Sequence, residues 1–217
     1  MILTIGRTKP IGICGSGLID SVAEFLETGM IDQNGKFRRD LPTDRVRLGP
    51  DGYEYVLARK EETLIHEDIV LTEIDVENLI RTKAAIYAGC KVLLSSVGLG
   101  FKDLEQVIIA GGFGRHLDLE KAIFIGLIPE MDIEKFIFVG NGSLLGARLL
   151  SFSRNLLKEA ERIALMMTNL ELSNHPSFME EFVAAMFLPH TDSSAFPRVT
   201  ERLHWMRRGD QELRVMN

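Results

Sequence analysis

Three glycine-rich turns constrain the fold of this chain most, because each follows a short apolar run and leads into a helical pattern. They are Gly12-Ile-Cys-Gly-Ser-Gly17, Gly111-Gly-Phe-Gly114 and Gly140-Asn-Gly-Ser-Leu-Leu-Gly146. The order strand, turn, helix is the repeating unit of α/β folds with parallel strands. In such folds the turns that follow the strands gather at one edge of the sheet, where ligands bind. We therefore predict an α/β fold that brings these three turns together.

The rest of the pattern agrees with this architecture. Apolar runs predict strands at 2–5, 106–110 and 135–140, and helical periodicity predicts helices at 17–28, 76–98, 119–127 and 143–167. Ser16 is the expected N-cap of the first helix, and Gly29 is its expected stop. Thr72 and Asp75 form a capping signal before the second helix, and Asp118 is the expected N-cap of the third.

Two segments do not follow this alternation of strands and helices. Residues 31–73 carry Asn-Gly and Asp-Gly turn signals beside β-prone runs, which predicts a small hairpin-rich insertion. After residue 168 the chain reads as a tail, in which NLELS predicts an edge strand and SFMEEFVAAMFL a short amphipathic helix. We therefore divide the chain into a lobe, 1–168, with its insertion at about 31–73, and a tail, 169–217.

Composition excludes several classes of function. The net charge of −6 leaves no basic stripe that could neutralise phosphates, so we expect no nucleic-acid partner. No apolar run approaches the roughly 20 residues that span a bilayer, and the N-terminus does not resemble a signal peptide. We expect a cytoplasmic protein without a membrane partner. Cys14 and Cys90 lie far apart, and the histidines lack metal-ligand spacing, so no metal site is expected.

The glycine turns are typical of a nucleotide site. Glycine lets a ligand approach the backbone, and the helix that follows offers unpaired N–H groups to phosphate. None of the turns is a Walker A loop, because none ends in Gly-Lys-Ser/Thr, and the dinucleotide fingerprint is also incomplete, which disfavours a Rossmann dehydrogenase. The alternative is that the glycines only allow helix and strand to pack closely.

Four cationic residues have two interpretations each. Lys83 falls on the apolar stripe of the predicted helix 76–98, where it either extends its amine to solvent or, with Arg81, contacts the ribose or adenine of a ligand. Arg115 and His116 either lie in a solvated turn or make polar contacts to a nucleotide.

Several longer stretches resemble a known family. VIIAGGFG and the later FVGNGSLLGA are similar to the adenosine-binding and second connecting motifs of the actin, sugar kinase and heat-shock chaperone ATPase superfamily (ASKHA). The resemblance is narrower to the C-terminal portion of the reductive activators of corrinoid proteins. It is carried by PIGICGSGLIDSVAEFLETGMID, IRTKAAIYAGCKVLL, IIAGGFGRHLDLEKAIFIGLIP and ELSNHPSFMEEFVAAMFLPH, within about residues 9–197.

The resemblance implies a ribonuclease H-like, actin-like ATPase lobe and an ATP-dependent activity. Such activators use ATP with Mg²⁺ to drive the one-electron reduction of Co(II) corrinoid to Co(I). Their partner is a corrinoid protein or a corrinoid-dependent methyltransferase, and their [2Fe–2S] cluster belongs to an N-terminal domain that this sequence does not contain.

The resemblance also implies a role for each glycine turn. The adenine and ribose would lie against Gly111, Gly112 and Phe113, with Gly114 completing the turn. The base of the last helix would close the site through Gly140, Asn141, Gly142 and Ser143. Arg81 and Lys83 would lie on the adenine side, and a phosphate-side loop would comprise Gly12, Gly15, Ser16 and Gly17.

This sequence departs from the superfamily pattern in one important respect. It has no Asp-x-Gly-Thr loop, the element that holds Mg²⁺ and the β- and γ-phosphates in the superfamily. The chain begins at what would be the third strand of the second lobe, so we expect an incomplete lobe with an exposed sheet edge. We therefore expect the C-terminal piece of a longer activator, which binds ATP weakly and does not hydrolyse it unaided.

Two other functions stay open at this point. The chain could be a non-catalytic interaction domain of the same fold, docking on the missing N-terminal half or on its own copy as a homodimer. It could also be an activator of the 2-hydroxyacyl-CoA dehydratase type, although Cys14 and Cys90 do not provide closely spaced cluster thiols.

Overall fold

The structure is a computed structural model that describes residues 4–215, with side chains for residue 4 and residues 6–206. The helices are α1 (Gly15–Glu27), α2 (Glu73–Ser96), α3 (Leu119–Phe124), α4 (Gly142–Phe152), α5 (Arg154–Met166), α6 (Phe178–Ala185) and α7 (Pro197–Val215). The strands are β1 (Val46–Gly49), β2 (Gly52–Ala58), β3 (Ile69–Thr72), β4 (Val107–Ala110) and β5 (Phe136–Gly140). The α/β architecture is as predicted.

The start of the chain departs from the prediction. Residues 2 and 3 of the predicted strand 2–5 lie outside the described residues, and Ile5–Arg7 form a 3₁₀ helix. The predicted N-cap of α1 was also wrong, because Cys14 rather than Ser16 caps this helix and its sulfur accepts the N–H of Gly17. The predicted stop is confirmed, since Gly29 follows the helix with a φ of 66°.

The hairpin-rich insertion is confirmed. Strands β1, β2 and β3 form an antiparallel sheet in that order, and Ile31 bridges Phe37 around the Asn34-Gly35 turn. The insertion packs on α1 through its aromatic rings, because the ring of Phe25 lies 4.6 Å from that of Tyr55 and 5.7 Å from that of Phe37, centroid to centroid.

Helix α2 forms the centre of the packing. Its predicted capping signal is confirmed as a capping box, in which Thr72 and Asp75 bind each other's backbone N–H groups. Its buried face contacts α6 and the antiparallel sheet. We use the name packed body for α1, α2, α3, α6, α7, the antiparallel sheet and the connecting segments 31–37, 125–131 and 186–196, since most of the buried hydrophobic cluster lies in them.

The parallel strands lie at the border of this core, since Phe136 of β5 belongs to the buried cluster and Val107 and Ile109 of β4 pack against it. Strands β4 and β5 are parallel neighbours, as predicted, and in the described residues they form a sheet of two strands only. The expected exposed edge is therefore confirmed, and Ile108 on β4 is 64% exposed. The predicted single helix 143–167 was wrong, because Ser153, with a φ of −150°, separates α4 from α5. Neither helix has a buried residue.

We use the name turn region for β4, β5, α4, α5 and the glycine turns at residues 111–114 and 140–142. It contacts the buried cluster through Phe136 of β5 and through Val107 and Ile109 of β4. At the second glycine turn Gly112 and Phe113 are exposed, whereas Gly114 is buried.

The tail is only partly as predicted. Helix α6 is confirmed, but NLELS forms no strand, and Leu172–Asn174 is a 3₁₀ helix instead. Helix α7 follows Pro197 and was not predicted. No helix in residues 4–215 combines the length and the apolar character needed to cross a membrane.

Candidate functional site

The three glycine turns meet in the structure. The N–H of Gly111 donates to the carbonyl of Gly140 at 2.6 Å, which joins the ends of β4 and β5. A Cβ atom added to Gly15 would lie 2.8 Å from Cε2 of Phe113, so the first turn touches the second. A Cβ atom on Gly142 would lie 3.3 Å from that of Ala110. The predicted clustering of the turns is thus present, and the second and third lie at the carboxyl ends of β4 and β5. The first turn does not follow a strand in the described residues, because Ile5–Arg7 is a 3₁₀ helix.

Four glycines of the cluster look onto open space. A Cβ atom added to Gly12, Gly111, Gly112 or Gly140 would meet no atom within 4 Å. The φ angles of 105° at Gly111 and 66° at Gly140 favour glycine on backbone grounds alone. At Gly112 neither a positive φ nor a nearby protein atom requires glycine. The space in front of Gly112 is available to a ligand.

Other glycines of the turns serve packing. Gly114 is buried, and a Cβ atom there would collide with the side chain of Ile109. The absence of a side chain at Gly15 likewise makes room for the ring of Phe113, and at Gly142 for Ala110 at the end of β4. The alternative interpretation of the glycines as packing devices therefore holds for these positions, and the ligand interpretation is confined to the open ones.

Two helices begin at the cluster. Cys14 caps α1, and its thiol lies 3.4 Å from the hydroxyl of Ser16 and 3.4 Å from the N–H of Gly17. These hydrogen bonds hold the pKa of the thiol below its ordinary value. Asn141 caps α4 by accepting the N–H of Leu144 at 3.0 Å. Each helix directs the positive end of its dipole at the turns.

The segment after Gly112 connects the cluster to the packed body. Phe113 is 53% exposed although its ring covers Gly15. Arg115 and His116 are exposed and make no hydrogen bond or ion pair within the described residues, so both of their interpretations remain predictions. Asp118 is the N-cap of α3, as predicted, and accepts the N–H of Lys121 at 3.1 Å.

An ion-pair bridge fixes α1 relative to α3 beneath the cluster. Nζ of Lys121 lies 3.0 Å from Glu24 and 4.0 Å from Asp20. One carboxylate oxygen of Asp20 is buried without a hydrogen bond, and burial raises the pKa of this side chain.

The two cations predicted on the adenine side are not at the cluster. Arg81 is exposed and pairs with Glu77 of its own helix. Lys83 is fully buried, and its Nζ donates to the carbonyls of Phe187 and Pro189 at 2.5 Å each. Both interpretations of Lys83 are therefore corrected, because its amine reaches neither solvent nor the turns.

The cluster can hold an anionic ligand with a flat apolar part, since it combines open backbone, helix N-termini and an exposed ring. Among the described side chains, those of residue 4 and residues 6–206, no group of three or more His, Cys, Asp or Glu is placed to hold a metal ion. The residues at the turns thus fit a nucleoside and its phosphates, and they do not include a magnesium-binding carboxylate set.

Sequence reasoning missed two features of the cluster. The Cys14 cap had a signal, because Cys14 directly precedes the Gly-Ser-Gly run that forms the first turn of α1. The contact between Phe113 and Gly15 had none, since nearly a hundred positions separate the two residues.

Residues 1–200 match the protein-family model described as the C-terminal domain of RACo, the ASKHA domain. The chain belongs to this family.

Solved and curated proteins agree with the assignment to the ASKHA domain. A solved structure, "Reductive activator for corrinoid,iron-sulfur protein", superposes with a TM-score of 0.83 and is 51% identical. The match covers 89% of this chain and 31% of that one. The curated "Corrinoid activation enzyme RamQ" of Eubacterium limosum is 34% identical over 186 residues, which is 82% of this chain and 31% of the relative.

A third relative comes from Methanosarcina barkeri. It is named "[Co(II) methylated amine-specific corrinoid protein] reductase" and is 30% identical over 160 residues, which is 74% of this chain and 26% of the relative. The chain therefore spans about a third or less of the length of these relatives.

Proposed function

We propose that the glycine cluster is one side of the ATP site of a reductive activator of corrinoid proteins. The observation that carries the proposal is the meeting of three turns whose glycines at 12, 111, 112 and 140 face open space. Backbone at these positions offers a nucleoside a surface without side chains.

Different residues of the cluster would bind different parts of ATP. Gly111 and Gly112 clear the space for adenine and ribose, and Phe113 lies beside them with half of its ring exposed. The first N–H groups of α1 and α4 would donate to phosphate oxygens, because they have no partner within their helices. In the proposed site Ser16 and Ser143 stand at these helix starts. Lys83 has no part in it.

The proposed activity is the use of ATP to drive one electron onto a Co(II) corrinoid, which gives Co(I). The electron comes from a [2Fe–2S] centre outside this chain, and the partner is a corrinoid protein or a corrinoid-dependent methyltransferase. The names of the relatives support this function over activation of a 2-hydroxyacyl-CoA dehydratase. Hydrolysis requires Mg²⁺ and the Asp-containing loop of a further lobe, since positioning and charge stabilisation at the phosphates dominate such chemistry.

The turn region would also dock on the remainder of a longer activator. Leu144 on α4 is 65% exposed, and Phe152 at its end is 74% exposed. A chain that spans about a third of its relatives supports the remainder of the activator as the occupant, rather than a second copy. A homodimer seen by light scattering, with these residues at its interface, would contradict this choice.

The variant Gly112→Val tests the ATP site. Two methyl groups would occupy the space proposed for the nucleoside, and no protein atom lies within 4 Å to oppose the new Cβ. We expect calorimetric titration with ATP to show loss of binding, while circular dichroism shows an unchanged helical content.

Gly100→Val is the matched control. Gly100 precedes β4, has an extended backbone with φ of −131° and ψ of 176°, and admits a Cβ atom at ordinary contact distance. Wild-type affinity is expected for this variant. Equal ATP affinity for the wild type and Gly112→Val would mean that the open glycines do not hold the nucleoside.

A further inference from the structure

Lys83 makes an unusual pair of contacts in the centre of the packed body. Its side chain is fully buried on α2, and its Nζ donates to the carbonyl oxygens of Phe187 and Pro189 at 2.5 Å each. These acceptors lie more than a hundred positions later in the chain. The lysine thus connects the middle of the tail, between α6 and α7, to the central helix.

The segment held by Lys83 joins three parts of the fold. Leu188 is fully buried; its N–H donates to the carbonyl of Gln33, and its own carbonyl accepts from Nε2 of Gln33 at 2.8 Å. Gly126, just after α3, packs so closely on the carbonyl of Pro189 that no side chain fits there. Residues 187–189 therefore contact α2, the insertion and the end of α3 at once.

The hydrogen-bond geometry matches an uncharged amine. A neutral lysine has two N–H groups, and Lys83 has two acceptors, both of them uncharged carbonyls. Within the described residues it forms no ion pair with a carboxylate. A protonated Nζ would bury a full charge and a third N–H without a partner, which is costly. Burial accordingly lowers the pKa of Lys83 to about 7.

We propose that Lys83 is held as an uncharged amine whose hydrogen bonds to residues 187 and 189 form a clasp. We further propose that proton uptake at this amine loosens the part of the tail from 186 to 196. The tail beyond the clasp depends on it, because Phe196 is fully buried against the ring of Tyr87 one turn along α2.

Other ionisable groups surround the clasp. Tyr87 and Lys91 lie on α2, Glu181 on α6, and His190 and Asp192 on the tail itself. Burial, followed by the nearby Lys83, lowers the pKa of His190, whose Nε2 is buried without a partner. Burial raises the pKa of Tyr87 above its ordinary value of 10.0. Between pH 6.5 and 8.5, Lys83 is therefore the main group of the clasp whose protonation changes.

The sign of the pH dependence follows from proton counting. The clasped state binds fewer protons than the open state wherever the pH lies between about 7 and the ordinary lysine pKa of 10.5. Opening of the clasp becomes harder as the pH rises through this range. This stabilisation is lost as the pH falls towards 7, and Lys83 adds little further change below it.

Hydrogen exchange on the full chain measures the opening directly. The reporter amides are Leu188, bound to Gln33, and Thr191, bound to Ala184. With intrinsic exchange rates corrected for pH, their protection should rise about 25-fold from pH 6.5 to 8.5, as the two pKa values require. Amides in the middle of α1 serve as the internal reference and should change much less.

Two variants assign the effect to Lys83. Lys83→Met keeps the length of the side chain without a titrating group, so protection of the reporters should lose its pH dependence. Lys91→Met removes a lysine of the same helix, whose Nζ is paired with Glu181 at 2.7 Å, and should keep the wild-type profile. A flat wild-type profile overturns the proposal even if Lys83→Met fails to fold. A wild-type slope retained in Lys83→Met overturns it as well.

Discussion

The packed body and the turn region use similar residues in opposite ways. In the packed body, apolar side chains such as Leu188 and Phe196 are fully buried against other elements of the same chain. In the turn region, Ile108, Leu144 and Phe152 are more than half exposed, although they lie on regular strands and helices. Regular secondary structure has formed in both regions, but α4 and α5 of the turn region have no buried residue within the described part of the chain.

This difference separates the part that stabilises the chain from the part that we propose binds ATP. The packed body fixes the first turn through α1 and the Phe113 turn through α3. The turn region presents Gly111, Gly112 and Gly140, and among the described residues no side chain fills the space in front of them. A site of this kind agrees with the proposal that a further lobe completes it.

A pair of phenylalanines tests the comparison with the largest expected effect. Phe196→Ala would leave a cavity in the packed body and should lower the free energy of unfolding by about 3–5 kcal/mol. Phe152→Ala removes a ring that is 74% exposed in the turn region, and should change it by only about 0.5 kcal/mol. Urea denaturation of both variants gives the two values, and similar losses would break the distinction between the regions.

The two cysteines sharpen the comparison with a smaller effect. Hydrogen bonds from Ser16 and Gly17 lower the pKa of Cys14, whereas burial raises that of Cys90 on α2. At pH 7 a larger fraction of Cys14 is thiolate, so iodoacetamide should alkylate it several-fold faster. The ratio of the two alkylation rates should decrease as the pH rises above the pKa values of both thiols.

Peptide mass spectrometry of the wild type measures both alkylation rates in one sample. Cys14→Ser and Cys90→Ser confirm the assignment of each modified peptide. Faster alkylation of Cys90 at pH 7 would contradict the cap geometry of α1.

Local signals in the sequence predicted much of the fold. The Thr72–Asp75 capping box, the Asp118 cap and the glycine stop at Gly29 each depend on residues within a few positions of the helix end. The parallel pairing of β4 with β5 followed from the order of the elements. The gathering of the turns followed from the same order, because it is a property of the topology.

The failures have non-local or weak causes. The break at Ser153 lies in the sequence Ser151-Phe-Ser-Arg-Asn155, which contains neither glycine nor proline, so the predicted helix was continued across it. Helix α7 has few apolar residues, and its one signal was Pro197 at the first helical position. The stripe on α2 predicted that Lys83 is near the core. Its acceptors belong to residues 187 and 189, which no local pattern connects to it.

The most direct test of the ATP site is to map ATP onto the ¹⁵N-labelled chain by NMR. The amides of Gly111, Gly112, Gly140 and Gly142 should shift together and saturate at one ATP concentration. The amide resonances of Gly35, in the insertion, and of Gly100, before β4, should not shift. Unchanged turn glycines at saturating ATP, or shifts centred on the packed body, would contradict the account.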